Sequence, residues 1–154
     1  MDNTLRPPVP PPVLFFAILG AGTVAARFRG LSFLPEGLSV RLASGLPLFA
    51  AALAIGIAAF SAFRRHGTSA QFGEPVSRLV RSGPYHYSRN PLYVALLLVL
   101  LGFALVLDNG WLAIGVPVLW LALQRLVVAR EEPFLLRLFG AEYEAYRREV
   151  RPWL

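Results

Sequence analysis

Gly83-Pro84-Tyr85-His86-Tyr87-Ser88-Arg89-Asn90-Pro91-Leu92-Tyr93 is the densest polar and aromatic segment of the chain, and an apolar run begins at its end, with Leu92. Its last four residues have the composition of a helix start. Asn90 carries the side chain of an N-cap, whose oxygen accepts an orphan backbone N–H of the first turn. Pro91 falls at the first helical position, where its missing N–H costs nothing. The positive end of that helix points back into the segment, beside Arg89, and such an end suits a carboxylate or a phosphate. The same residues also suit a well-capped membrane helix with an interfacial aromatic belt. The segment alone therefore leaves a binding site and a structural cap both open.

Downstream, Leu92 to Leu107 forms one apolar span and Trp111 to Ala129 another, joined by the tight turn Asp108-Asn109-Gly110. So short a turn makes the two helices antiparallel neighbours. Pro117 removes a backbone bond from the second of them and crowds the carbonyl of Ala113, which predicts a kink. Upstream, residues 64–90 form a connection far longer than an ordinary helix–helix loop, and loops of this length are usually functional or disordered. Within it Ser77 to Val80 reads as a short interfacial segment. Before it lies the clearest span, Leu42 to Phe63, 22 residues without a charge and roughly 33 Å long as a helix. It ends at Arg64-Arg65, which can snorkel to the headgroups.

The first apolar run, Val13 to Ala26, is short and must recruit flanking residues to span. It is not preceded by the basic segment of a signal peptide, since Asp2 offsets Arg6 among five prolines. Residues 1–12 therefore read as a Pro-rich, non-helical tail and 13–154 as one domain. Gly20-Ala21-Gly22-Thr23-Val24-Ala25 matches a dinucleotide fingerprint only formally. No strand precedes it and no βαβ unit surrounds it, so its small residues read as a close helix contact. The expected architecture is all-α and polytopic. Four membrane helices run near 13–28, 42–63, 91–107 and 111–130, and a short amphipathic helix follows from about 141.

Hydrophobic residues make up 56% of the 154 and the mean hydropathy is +0.55, the composition of an integral membrane protein. There is no cysteine, which excludes disulfides, thiolate catalysis and cysteine metal sites. His66 and His86 have no metal-motif spacing, so no metal is expected. All 15 basic residues are arginine, and they flank the apolar runs. A membrane with anionic lipid accounts for them better than nucleic acid does. With four spans, twelve arginines fall on the side shared by the tail, the 64–90 loop and the C-terminus. Only Arg27, Arg29 and Arg41 fall on the other. The arginine bias places the long loop and the C-terminus in the cytoplasm, where they can meet.

Glu131 and Glu132 break this arginine pattern at the cytoplasmic end of the fourth span. Carboxylates near lipid are costly and call for a partner. Arg89, Arg125 or Arg130 can serve in an ion-pair cluster; a cationic ligand can serve instead. A ligand with a carboxylate at one end and positive charge elsewhere would use both features, the carboxylate at Arg89 or the helix start and the ammonium at Glu131 or Glu132. Tyr85, Tyr87 and Tyr93 can stack on a base or face a sulfonium. S-adenosylmethionine has all these groups. Beyond the glutamates, Phe134, Leu135, Leu138 and Phe139 repeat at helical spacing, Gly140 interrupts, and Tyr143, Tyr146 and Val150 share one side of a last helix, read as lying on the membrane.

Leu79-Val80-Arg81-Ser82-Gly83-Pro84-Tyr85, Ser88-Arg89-Asn90-Pro91-Leu92-Tyr93, Glu131-Glu132 and Phe139-Gly140-Ala141-Glu142-Tyr143-Glu144-Ala145-Tyr146, in that order with one hairpin between, resemble the isoprenylcysteine carboxyl methyltransferase and phospholipid methyltransferase superfamily. The resemblance covers about residues 50–154. It implies an integral-membrane methyltransferase that uses S-adenosylmethionine without a Rossmann fold. It puts Leu79, Val80, Tyr85, Asn90, Pro91, Leu92, Tyr93 and Glu131 on cofactor-contacting positions; Arg89 and Glu132 join them from the charge reading above. Asn90 stands where the prenylcysteine enzymes carry histidine. Asn-Pro-x-Tyr and Glu-Glu-Pro-Phe are instead similar to the phosphatidylethanolamine branch. The implied acceptor is lipophilic and enters from the bilayer, as a prenylcysteine-type carboxylate or a phospholipid amine. An amine must lose a proton, and His86 is the nearest imidazole in sequence. Two other readings stand beside this one: a non-catalytic membrane protein whose Tyr/Arg/Glu cluster staples the fold, and a reductase on a related helical scaffold. The latter needs a nicotinamide site, and the sequence has no distinct phosphate cradle.

Overall fold

The computed structural model describes residues 8–35, 37–67 and 77–154. The first seven residues of the Pro-rich tail and residues 68–76 of the long connection, with Gly73 and Pro75, lie outside them. Among the described residues all regular secondary structure is helical, with no strand. The elements in order are α1 (Pro11–Phe28), α2 (Leu38–His66), a 3₁₀ turn (Gly83–His86), α3 (Pro91–Val106), α4 (Gly110–Leu123), a π-helical turn (Gln124–Val128), α5 (Ala129–Phe139) and α6 (Ala141–Glu149).

The ends of these helices follow from local chemistry, with three departures from expectation. Pro11 and Pro12, assigned to a non-helical tail, open α1; at the first helical positions a proline gives up an N–H that has no acceptor anyway. Asn90 does not cap α3 through its side chain. The asparagine that caps is Asn109, whose Oδ1 accepts from the Trp111 and Leu112 N–H groups at 3.0 and 3.4 Å. The fourth span does not stop near residue 130. It passes through a π turn, in which the Ala129 N–H donates to the Gln124 carbonyl five residues back, and continues as α5 to Phe139. Gly67 ends α2 in the left-handed region at φ 60°, a conformation that glycine adopts without a Cβ penalty.

Three helices, Pro11–Phe28, Leu38–His66 and the continuous Gly110–Phe139, are long and apolar enough to cross a membrane. α3 is equally apolar but has 16 residues, roughly 24 Å, and runs between α2 and α4. Small residues let the helices approach closely. A Cβ on Gly45 of α2 would lie 2.4 Å from Val106 Cγ2 and 3.0 Å from the Gly102 carbonyl on α3, and Gly102 in turn sits beneath the Phe49 ring. Gly22, from the discarded dinucleotide match, is pressed against Leu112 of α4. Between the helices lies a core of Phe15, Tyr93, Leu100, Leu112, Leu119, Leu123 and Val127. Outward faces remain apolar, with Phe16, Leu53, Phe60, Ile114 and Val118 exposed on the protein surface.

At one end of the bundle, Asp108 fastens the α1–α2 connection to the α3–α4 turn. Its Oδ1 accepts the Phe33 and Leu34 N–H groups at 2.9 and 3.0 Å, and its Oδ2 pairs with Arg41 at 3.0 Å. Those two backbone donors first, then Arg41, hold its carboxyl below the usual carboxylate range, against the opposing effect of burial. A depressed folded pKa contributes stability that is present above the ordinary aspartate value and is lost as pH falls through the folded one. Thermal melts of the wild type and Asp108→Asn in detergent are therefore expected to differ at neutral pH, the wild type melting higher, and to converge as the pH falls below the ordinary aspartate value. A gap unchanged across that range would show that the charge of Asp108 does not matter.

Candidate active site

The opposite end of the bundle gathers the loop before α3, the start of α3, α5, α6 and the C-terminal residues. Tyr93, in the first turn of α3, is buried. Its Oη donates to Glu131 Oε1 at 2.7 Å. Glu132, about 100° further round α5, points elsewhere and pairs with Arg89. The two adjacent carboxylates thus have separate partners. Their phase depends on the π turn that precedes α5, since one extra residue per turn re-aims every side chain after it; such turns recur at functional sites.

Arg89 is the tie of this end. Besides Glu132, its Nη1 donates to the Arg147 and Val150 carbonyls, both at 3.1 Å, at the electron-rich end of α6. Its backbone N–H donates to the Arg151 carbonyl at 3.0 Å. The neighbours of Arg89 extend the same seam. Asn90 Nδ2 donates to the Pro152 carbonyl at 2.8 Å and Ser88 Oγ to the same oxygen at 3.3 Å. This is what occupies the Asn90 side chain in place of capping. Trp153 Nε1 donates to Gln124 Oε1 in the π turn at 2.8 Å.

Tyr85 lies in the 3₁₀ turn, buried with its ring edge-on to Phe63 at 5.2 Å, and its carbonyl accepts from Tyr146 Oη at 2.6 Å. Val80 is buried with Ala59, Ala62 and Tyr85, and Leu92 packs against this group. Leu79 packs on Tyr143, Tyr146 and Val150. The apolar side of the last helix, expected on the membrane, is therefore turned inward, because Leu79, Leu135, Leu136 and Phe139 supply the surface it covers. Pro91 is buried at the start of α3. Burial is the main cause that pushes up the Tyr85, Tyr143 and Tyr146 phenols, Tyr143 to about 12; all three remain neutral near pH 7.

All ten residues singled out in the sequence thus converge on one end: Leu79, Val80, Tyr85, Arg89, Asn90, Pro91, Leu92, Tyr93, Glu131 and Glu132. They fall into two sets. Arg89, Glu132 and Asn90 are engaged with one another's elements. Glu131 is not: its one hydrogen bond among the described residues comes from a neutral phenol, and it makes no ion pair there. His86 is exposed, its ring against Tyr87 at 5.3 Å. Arg125 and Arg130 are exposed, and neither pairs with a glutamate among the described residues. The seam formed by Gln124, Ser88 and residues 147–153 was not legible beforehand. Only the density of hydrogen-bonding side chains in Ser88-Arg89-Asn90 hinted at it.

Apolar helices long enough to span, with tyrosines and two adjacent glutamates gathered at one end of the bundle, define a helical membrane protein with a polar cluster at that end. Residues 40–142 match the family model of the phospholipid methyltransferases. The chain belongs to that family, within the isoprenylcysteine and phospholipid methyltransferase superfamily, and is an integral membrane protein of a kind whose general activity is methyl transfer. It is also similar to an uncharacterized protein of Haemophilus influenzae, 41% identical over 63 residues, which are 41% of this chain and the whole of that protein. No solved structure matches.

Proposed function

We propose that the chain transfers a methyl group from S-adenosylmethionine to a lipophilic acceptor that enters from the bilayer, with its polar site on the cytoplasmic face. The observation that carries this reading is Glu131. It is a partly buried carboxylate beside a second carboxylate, fixed in direction by Tyr93 and met by no cation among the described residues. A desolvated anion without a counter-charge is costly, and a cationic ligand removes that cost.

The residues around Glu131 fit such a cofactor. Glu131 would face its positively charged end, with Tyr93 holding the carboxylate in one orientation. At the start of α3, which has no side-chain cap, Pro91 has no N–H and the Tyr93 N–H donates to the Asn90 carbonyl at 3.0 Å, so the Leu92 N–H remains for a carboxylate. Tyr85, Val80 and Leu92 supply an aromatic and apolar wall that excludes water. Arg89 and Glu132 hold α5 and α6 against the loop so that these groups stay together. When bound, S-adenosylmethionine supplies an electrophilic methyl group on a sulfonium, which is transferred by a one-step displacement. For such a displacement the chain contributes alignment of the reacting atoms rather than a nucleophile, which agrees with the absence of cysteine.

The acceptor carries a carboxylate or an amine on an apolar tail. The carboxylate arrives ionised; the amine must lose a proton. Membranes containing the chain, incubated with methyl-labelled S-adenosylmethionine, are expected to carry label chiefly in a lipid extract. Label confined to a small water-soluble acceptor, or binding with no transfer to any membrane component, would contradict the reading.

A further inference from the structure

We propose that a groove on the flank of α2 and α3 binds one anionic membrane lipid, its acyl chain lying over Gly56 and its headgroup held by Arg64. The groove encloses about 480 Å³ and opens to the protein surface. Phe49, Leu53, Gly56, Ile57, Phe60 and Val99 make its apolar length; Ser61 and Arg64 are its polar lining, both toward the end that bears the candidate active site. The contrast between its glycine and the others of this helix pair is informative. Gly45 and Gly102 are filled by the neighbouring helix, whereas a Cβ on Gly56 meets nothing within 4 Å. The notch at Gly56 is shaped for something that is not part of this fold.

Charge selects the occupant. Arg64 makes no ion pair among the described residues, while the neighbouring Arg65 turns toward Gly83, its Nη2 4.0 Å from where a Cβ would stand there. The end of α2 contributes about half a negative charge, which the two guanidinium groups outweigh. A second copy of the chain answers poorly, since two α2 helices related by a two-fold axis along the membrane normal would set Arg64 against Arg64. An anionic lipid satisfies both the apolar length and the cation. From Leu53 to Arg64 is roughly 16 Å along the helix, close to half of the ~30 Å hydrocarbon core, the depth of a chain from one leaflet. Tyr85 packs on a different side of α2, at Ala59 and Ala62, so this lipid is distinct from the proposed methyl acceptor and its site does not depend on that reading.

Native mass spectrometry of the full chain tests this, after equilibration in mixed micelles containing phosphatidylglycerol or phosphatidylcholine with the same acyl chains. The wild type is expected to retain one phosphatidylglycerol at least about tenfold more often than phosphatidylcholine, the ratio given by one charge-assisted contact. Arg64→Gln is expected to reduce retention to the phosphatidylcholine level, and Arg64→Lys to preserve the preference. Gly56→Leu, whose Cβ meets nothing within 4 Å and whose branched end reaches into the groove, is expected to lower retention of both lipids while the lipid-free melting temperature stays unchanged. Equal retention of the two lipids by the wild type would overturn the proposal. So would an unchanged preference in Arg64→Gln, or a wild-type dimer that Gly56→Leu converts to monomer.

Discussion

Glu131→Gln is expected to weaken S-adenosylmethionine binding by about ten- to a hundredfold, the range set by losing one charged hydrogen-bonding partner, without lowering the stability of the protein. The two halves of this result have one cause. Among the described residues Glu131 is held by Tyr93 alone, and a glutamine oxygen accepts that same bond. Removing a partly buried charge that no cation of the described residues answers costs the fold nothing and can raise its melting temperature. Glu132→Gln is expected to do the reverse, lowering stability by about 1–3 kcal/mol because Arg89 loses its carboxylate, and affecting binding less than Glu131→Gln does. Isothermal titration and thermal melts on the two variants separate these effects. Equal affinity in wild type and Glu131→Gln would reject the assignment of Glu131 to the cofactor.

Replacing Arg89 by leucine is expected to cost about 3–5 kcal/mol, the usual cost of breaking one side of a buried ion pair. Its guanidinium reaches Glu132 on α5 and two carbonyls at the end of α6 at once. Lysine, a single point charge on a flexible stem, cannot make that fork, so Arg89→Lys is expected to restore only part of the loss. The released end can be read directly, because Arg147 and Arg148 are exposed trypsin sites on the segment that Arg89 fastens. Tryptic cleavage there is expected to be at least about tenfold faster in Arg89→Leu, as a loss above ~1.4 kcal/mol in local stability implies. Unchanged cleavage and melting would show that Arg89 is not the tie.

What the sequence made legible was decided by strong local signals. The Asp108-Asn109-Gly110 turn set α3 and α4 antiparallel, and the clustering of arginines on alternate connections brought the long loop and the C-terminus to one end. Separating Glu131 from Glu132 needed only the 100° step of a helix. The errors lay where a distant residue decided. Asn90 has every mark of an N-cap, but Pro152, 62 residues later, takes its amide. Tyr143, Tyr146 and Val150 form a face that suits a membrane equally well, and only the position of Leu79 and α5 turned it inward. Glu-Glu-Pro reads as a helix end, yet the π turn carries the helix through it; no residue pattern in Gln124–Val128 announces a five-residue backbone bond.

Equilibrium binding of S-adenosylmethionine to the detergent-solubilised wild type tests the central reading most directly. Saturable binding at one site per chain, competed by S-adenosylhomocysteine and weakened in Glu131→Gln, is the predicted result. A folded, monodisperse protein that shows no saturable binding would contradict it, and would leave the tyrosines, arginines and glutamates at this end of the bundle as a staple for the fold.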